Sequence, residues 1–181
     1  AIMGDTVNAG SLTFTNGVSL VGSSTLSVAS SVFLNGVVSG AYALAKAGSG
    51  ELTLNAANTF SGSVSVWGGT LNLAGGVAIP NTALLEVGSA GALKLSASEE
   101  LSGVRGAGAI NLQGNVLTLS GGTSTNFSGV ISGAGSVEKK GTATLGLSGS
   151  SSFGGGVTMS SGTIEIGSNL ALGTGTLTFN G

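Results

Sequence analysis

The chain repeats itself at a fixed distance with no insertion or deletion. Ala43–Leu73 (ALAKAGSGELTLNAANTFSGSVSVWGGTLNL) returns as Val137–Ile166 (VEKKGTATLGLSGSSSFGGGVTMSSGTIEI). At an offset of 93, Lys46 meets Lys139, Gly48 meets Gly141, Leu52 and Leu54 meet Leu145 and Leu147, Phe60 meets Phe153, and Gly69-Thr70 meets Gly162-Thr163. The match extends outward, so that residues 34–88 correspond to 127–181. Two segments in gap-free register imply a repeating architecture, in which each unit buries its apolar face against its neighbours. The offset is accordingly expected to be a whole number of structural turns.

Within the repeat, apolar residues alternate with polar ones, as in Leu52-Thr53-Leu54 and Val64-Ser65-Val66. That is the period of a strand. Glycine, 35 of 181 residues, would by itself suggest a flexible linker, but 41% hydrophobic residues and a net charge of −2 oppose disorder. Short strands are expected throughout, for example at Ser11–Phe14, Thr25–Val28, Glu51–Leu54, Ala92–Leu95, Val116–Leu119 and Thr163–Ile166, separated by glycine and serine corners. Ser96–Glu100 reads as one of the turns. Ala41–Ala47 is the sole helical candidate, and its repeat partner reads as strand. Strands this short and evenly spaced favour a coil over a sandwich. About 20–25 residues per coil gives about eight coils and a rod roughly 35–40 Å long. The expected fold is an all-β solenoid, with residues 1–181 forming a single segment.

The fixed positions of the first copy are Lys46, Gly48, Gly50, Leu52, Thr53, Leu54, Asn58, Thr59, Phe60, Gly62, Gly68, Gly69, Thr70 and Leu71. This pattern resembles the passenger-associated repeat of bacterial autotransporters, also called the autotransporter-associated beta strand repeat. The second copy is looser, with Ser151-Ser152 where the first has Asn58-Thr59. The resemblance implies a right-handed parallel β-helix, the stalk of a surface-displayed or secreted protein exported by type V secretion. The implied partners are adjoining β-helix coils and an outer-membrane translocator barrel of the parent protein. The alternative reading is an adhesin that binds host or neighbouring-cell surface molecules through the side of the rod. The absence of cysteine fits passage through an outer-membrane pore, where a disulfide would obstruct the chain.

Composition narrows the chemistry. No histidine and no cysteine removes the usual general base, thiol nucleophile and zinc ligands. No catalytic residue, metal site or cofactor is assigned. Five Lys and Arg offer no footprint for nucleic acid, and no apolar run is long enough to insert in a membrane as a helix. No basic segment followed by an apolar one opens the chain, so no signal peptide is expected within it. The carboxylates are Asp5, Glu51, Glu86, Glu99, Glu100, Glu138 and Glu165; Glu99-Glu100 with Arg105 is the one local cluster, read as a solvated corner. Lys46, Lys139 and Lys140 read as solubilising charges at coil corners, so Lys46→Ala is expected to change stability little. Phe60 and Phe153 recur and read as packing residues. Trp67 and Tyr42 do not recur, their partners being Ser160 and Gly135, and they are the candidate binding residues.

Overall fold

A computed structural model describes the backbone of Ile2–Met3 and all of residues 10–181. Every strand pair in it is parallel, and among the described residues there is no helix. The chain winds as a β-solenoid of about eight turns. Each turn lays one short segment on each of three faces. The first face is a nine-stranded ladder that includes Ser24–Val28, Leu44–Ala47, Val64–Val66, Leu84–Val87, Gly103–Gly106, Thr125–Phe127, Thr144–Leu147 and Thr163–Ile166. The second has seven strands, from Leu12–Phe14 through Glu51–Leu54 and Gly69–Leu73 to Val130–Ser132. The third is divided: Val18–Ser19 pairs with Val38–Ser39, and a five-stranded ladder runs from Glu99–Leu101 through Val116–Leu119, Ser136–Lys139 and Val157–Met159 to Leu177–Phe179.

Register partners along the first face from Leu44 onward are 19 to 21 residues apart, at the short end of the expected coil length. Because strand side chains alternate, this spacing sends the same parity inward on each coil and stacks like on like. On the second face Val32, Leu52, Leu71, Leu93, Ile110 and Ile131 form one column, each at most 1% exposed. Each such side chain contributes roughly 1.5–3 kcal/mol by leaving water. Phe60 and Phe153 are fully buried, as their recurrence suggested. Glycine marks the corner between the first two faces, where a Cβ on Gly108, Gly129 or Gly149 would run into the carbonyl oxygen of the glycine one coil earlier. Ala41–Ala47 contains a strand, Leu44–Ala47.

Two expectations need correction. The expected turn Ser96–Glu100 is shorter than read: the chain bends at Ser96-Ala97, and Glu99 already begins the strand Glu99–Leu101. The 93-residue offset, moreover, is not a whole number of coils. Four coils carry Lys46 through Val66, Val87 and Gly106 to Phe127, and Lys139 lies two faces beyond. Leu44–Ala47 therefore lies on the first face and its counterpart Ser136–Lys139 on the third. Likewise Glu51–Leu54 and Gly69–Leu73 lie on the second face, and their counterparts Thr144–Leu147 and Thr163–Ile166 on the first. The three sides of the coil are similar enough in length that a strand–corner–strand unit fits at more than one corner.

Candidate functional site

The repeated motif builds the same object twice. In Leu44-Ala45-Lys46, alternation points Leu44 and Lys46 inward, and Lys46 takes a place in a core column between Leu26 and Val66. It is fully buried. Its methylene stem packs in the column while the ammonium turns to the corner and donates to the carbonyl oxygens of Ala47 (3.1 Å), Gly48 (3.0 Å) and, one coil on, Gly68 (2.8 Å). Gly69, at φ 62°, lies over the ammonium, and a Cβ there would come 2.8 Å from Nζ. Only glycine combines that backbone angle with that closeness. In the second copy Lys139 stands between Leu119 and Met159, donates to the carbonyl oxygens of Gly141 and of Ser161 on the next coil, and is roofed by Gly162 at φ 80°.

The reading of these two lysines as solubilising corner charges is thus overturned: Lys46 and Lys139 are 0% and 3% exposed. Burial lowers the pKa of Lys46 to about 8 and moves that of Lys139 in the same direction. Lys140 behaves as expected, half-exposed and 3.1 Å from Glu138. The overlooked signal was parity, since Lys46 shares it with Leu44, and Lys139 with Val137.

The same oversight applies to Glu99, in phase with Leu101. Glu99 is 2% exposed and accepts the amides of Ala78 (3.1 Å) and Ile79 (2.8 Å) from the preceding coil. Burial raises its pKa, and these two hydrogen bonds work against that rise. The expected Glu99–Glu100–Arg105 cluster does not exist. Glu100 faces the other way and accepts from Ser120 Oγ at 2.7 Å, and Arg105 forms a two-pronged pair with Glu86 at 2.7 and 3.0 Å. Asn58 completes the side-chain bridging of the third face where strand pairing lapses. Its Oδ1 accepts the Val38 amide at 2.6 Å, and its Nδ2 donates to the Ala78 carbonyl at 2.7 Å. Val38, Asn58, Ala78 and Glu99 are thereby linked across four successive coils.

A shallow notch of about 370 Å³ opens on the outer side of the first face. Asn126, Gly146 and Glu165 are successive register partners there, and glycine leaves the gap. Among the described residues neither Asn126 nor Glu165 makes a side-chain hydrogen bond or ion pair. The notch has one carboxylate, whereas glycoside hydrolysis uses two across a cleft. Among the described residues no three carboxylates converge to hold a metal ion. Asp5 lies outside the described residues.

Trp67 is 49% exposed, with its ring against Gly88 of the next coil, and Tyr42 is 43% exposed. Trp67 follows the first-face strand Val64–Val66 and Tyr42 precedes the first-face strand Leu44–Ala47. They stand at opposite edges of that face, one coil apart, and form no single site.

The model of the passenger-associated-transport-repeat family matches residues 44–73 and 137–166, the two segments that carry the lysine corners. The chain is also 41% identical over 124 residues to the adhesin BmaC autotransporter of Brucella suis biovar 1 (strain 1330). That match covers 66% of this chain but 4% of the relative's length. No solved structure matches the chain.

Proposed function

We propose that this chain, a β-solenoid carrying two passenger-associated-transport repeats, is a stalk segment of a bacterial autotransporter passenger at the cell surface or in secreted form. The observation that carries this reading is the repeat itself. Both copies spend their fixed lysine and glycine on a coil corner that holds one coil to the next, and their fixed leucine and phenylalanine positions on the core. A rod that stacks coil upon coil is stabilised by nearest-neighbour contacts, so it can grow as chain arrives. In this reading folding outside the cell supports export, residues 1–181 form one continuous segment, and the rod projects a distal region of its parent protein. Its partners are adjoining coils and an outer-membrane translocator barrel in that parent. The test is display of the parent protein with residues 10–181 intact or carrying Leu54→Asp, which puts a charge in the dry core. Display should fall with the substitution. Undiminished display would remove the stalk role.

A second reading, adhesion through the side of the rod, is favoured by the half-exposed Trp67 and Tyr42 and by the name of the Brucella suis relative. Trp67→Ala with Tyr42→Ala should then lower adhesion of displaying cells without lowering display. Unchanged adhesion would leave the stalk as the whole role.

A further inference from the structure

The core columns pose a problem of register. Their members are nearly all Leu, Val and Ile, and apolar burial scarcely distinguishes a strand in place from one shifted by two residues, which keeps the same side inward. Buried polar side chains break that degeneracy, Asn58 and Glu99 on the third face and, in both copies of the repeat, a lysine. Lys46 interrupts the column Leu26–Lys46–Val66, and Lys139 interrupts Leu119–Lys139–Met159. Each ammonium has at least one acceptor on its own corner and one on the corner of the following coil, Gly68 or Ser161.

We propose that Lys46 and Lys139 are register locks, each fixing which residues of the following coil stack on its own. Should Val64–Val66 slip by two residues, the Gly68 carbonyl moves about 6.6 Å along the strand direction, beyond reach of Nζ. In one direction of slip Leu71 replaces Gly69 over the ammonium, where a Cβ has no room. A slipped coil therefore leaves the buried ammonium without its acceptor on the following coil, which is unfavourable. The lock does not act by adding stability. A buried charge is a costly way to hold two coils together, and its benefit lies in excluding the alternatives. A single buried asparagine sets register in coiled coils by the same physics. The two locks sit at different corners, so each one fixes the register of the coil that follows it. This role goes beyond the stalk reading and stands without it.

The absence of native cysteine makes the test clean. Ala45 and Ser65 are register partners on the outer side. Ala45→Cys with Ser65→Cys should close a disulfide readily, whereas Ala45→Cys with Ser63→Cys, about 8 Å apart in the native register, should not. With Lys46 present the in-register pair should form at least tenfold faster. In Lys46→Met, which keeps the stem and removes the charge, that preference should fall at least threefold. An unchanged preference in folded Lys46→Met overturns the proposal. A measurement on the native chain covers the case in which that variant does not fold. Acetic anhydride should modify Lys46 and Lys139 at least a hundredfold more slowly than Lys140. Equal rates would mean the ammonium groups are not held, and the lock would be refuted.

Discussion

The two repeat copies occupy different faces of the same rod, and comparing them separates what the motif requires from what it tolerates. The lysine corner is kept whole: Lys46 under Gly69 and Lys139 under Gly162 reach carbonyl oxygens of their own coil and of the next. The side-chain bridge is kept by half, on the third face in the first copy and on the second face in the second. Asn58 accepts from Val38 on one side and donates to Ala78 on the other, whereas Ser151 accepts the Ile131 amide at 3.1 Å and, among the described residues, its hydroxyl makes no bond toward the following coil. The outer ladder is not kept. In the first copy Thr53 accepts from Asn72 at 3.4 Å, Asn72 accepts from Ser96 at 2.8 Å, and Thr53 and Asn72 are buried. In the second copy the same positions are Gly146 and Glu165, and the notch opens between Asn126 and Glu165. Contacts from corner to coil are thus common to both copies, and the outward rows are free to vary. What repeats is a corner, not a turn of the solenoid.

If that separation is right, removing the lysine should do the most damage, and equally in both copies. Lys46→Ala and Lys139→Ala should each cost about 2–3 kcal/mol, from lost packing of the stem and carbonyl oxygens left without a donor. Lys140→Ala should stay within about 0.5 kcal/mol. Urea unfolding measures all three, and damage confined to one copy would break the equivalence. The same lysines give the comparison a pH dependence. Lys46 has a folded-state pKa of about 8 against an ordinary 10.5, so between those values the unfolded chain binds more protons. Stability should therefore rise with pH from about 8 to 10.5, with Lys139 adding in the same sense. Lys46→Met should flatten that rise, and a fall with pH over this window would contradict the burial of the ammonium. Next in size, Asn58→Ser makes the first copy like the second and should cost about 1–2 kcal/mol, chiefly for the lost bond to Ala78. An equal loss from Ser151→Ala would show that serine already does the whole work of the amide. The smallest effect is expected at the outer ladder. Gly146→Thr should stabilise by at most about 1 kcal/mol, because a strand glycine is replaced by a β-branched residue while the Asn126 amide has to turn aside. A loss of more than that would mean the gap is structural.

The parallel coils, their short strands and the buried phenylalanines were legible because they rest on alternation and recurrence, which a single sequence displays. The lysines and Glu99 were misread for one reason: residue type was weighed above parity. Lys46 has the parity of Leu44, and Glu99 that of Leu101, so the strand period already pointed both inward. Their acceptors and donors could not be read in the same way. Gly68 O, Ala78 N and Ile79 N are backbone atoms about 20 positions away, and nothing in their side chains announces them. The face shift between the copies was equally hidden. Gap-free register fixes the spacing along the chain, but the number of residues per coil decides where that spacing falls around the rod, and 93 is not a multiple of about 20.

The central claim is that the motif is a corner unit that fits different corners of the coil. Replacing residues 137–166 by the sequence of residues 44–73, position for position, moves the first copy from its native faces to the third and first. Urea unfolding of this chimera, with acetic anhydride labelling of the lysine now at position 139, tests that claim directly. The account predicts a single cooperative transition with a midpoint no lower than that of the native chain, and a transplanted lysine as protected as Lys139. A chimera that unfolds at much lower urea, or whose lysine is modified as fast as an exposed one, would show that each copy is fitted to its own face.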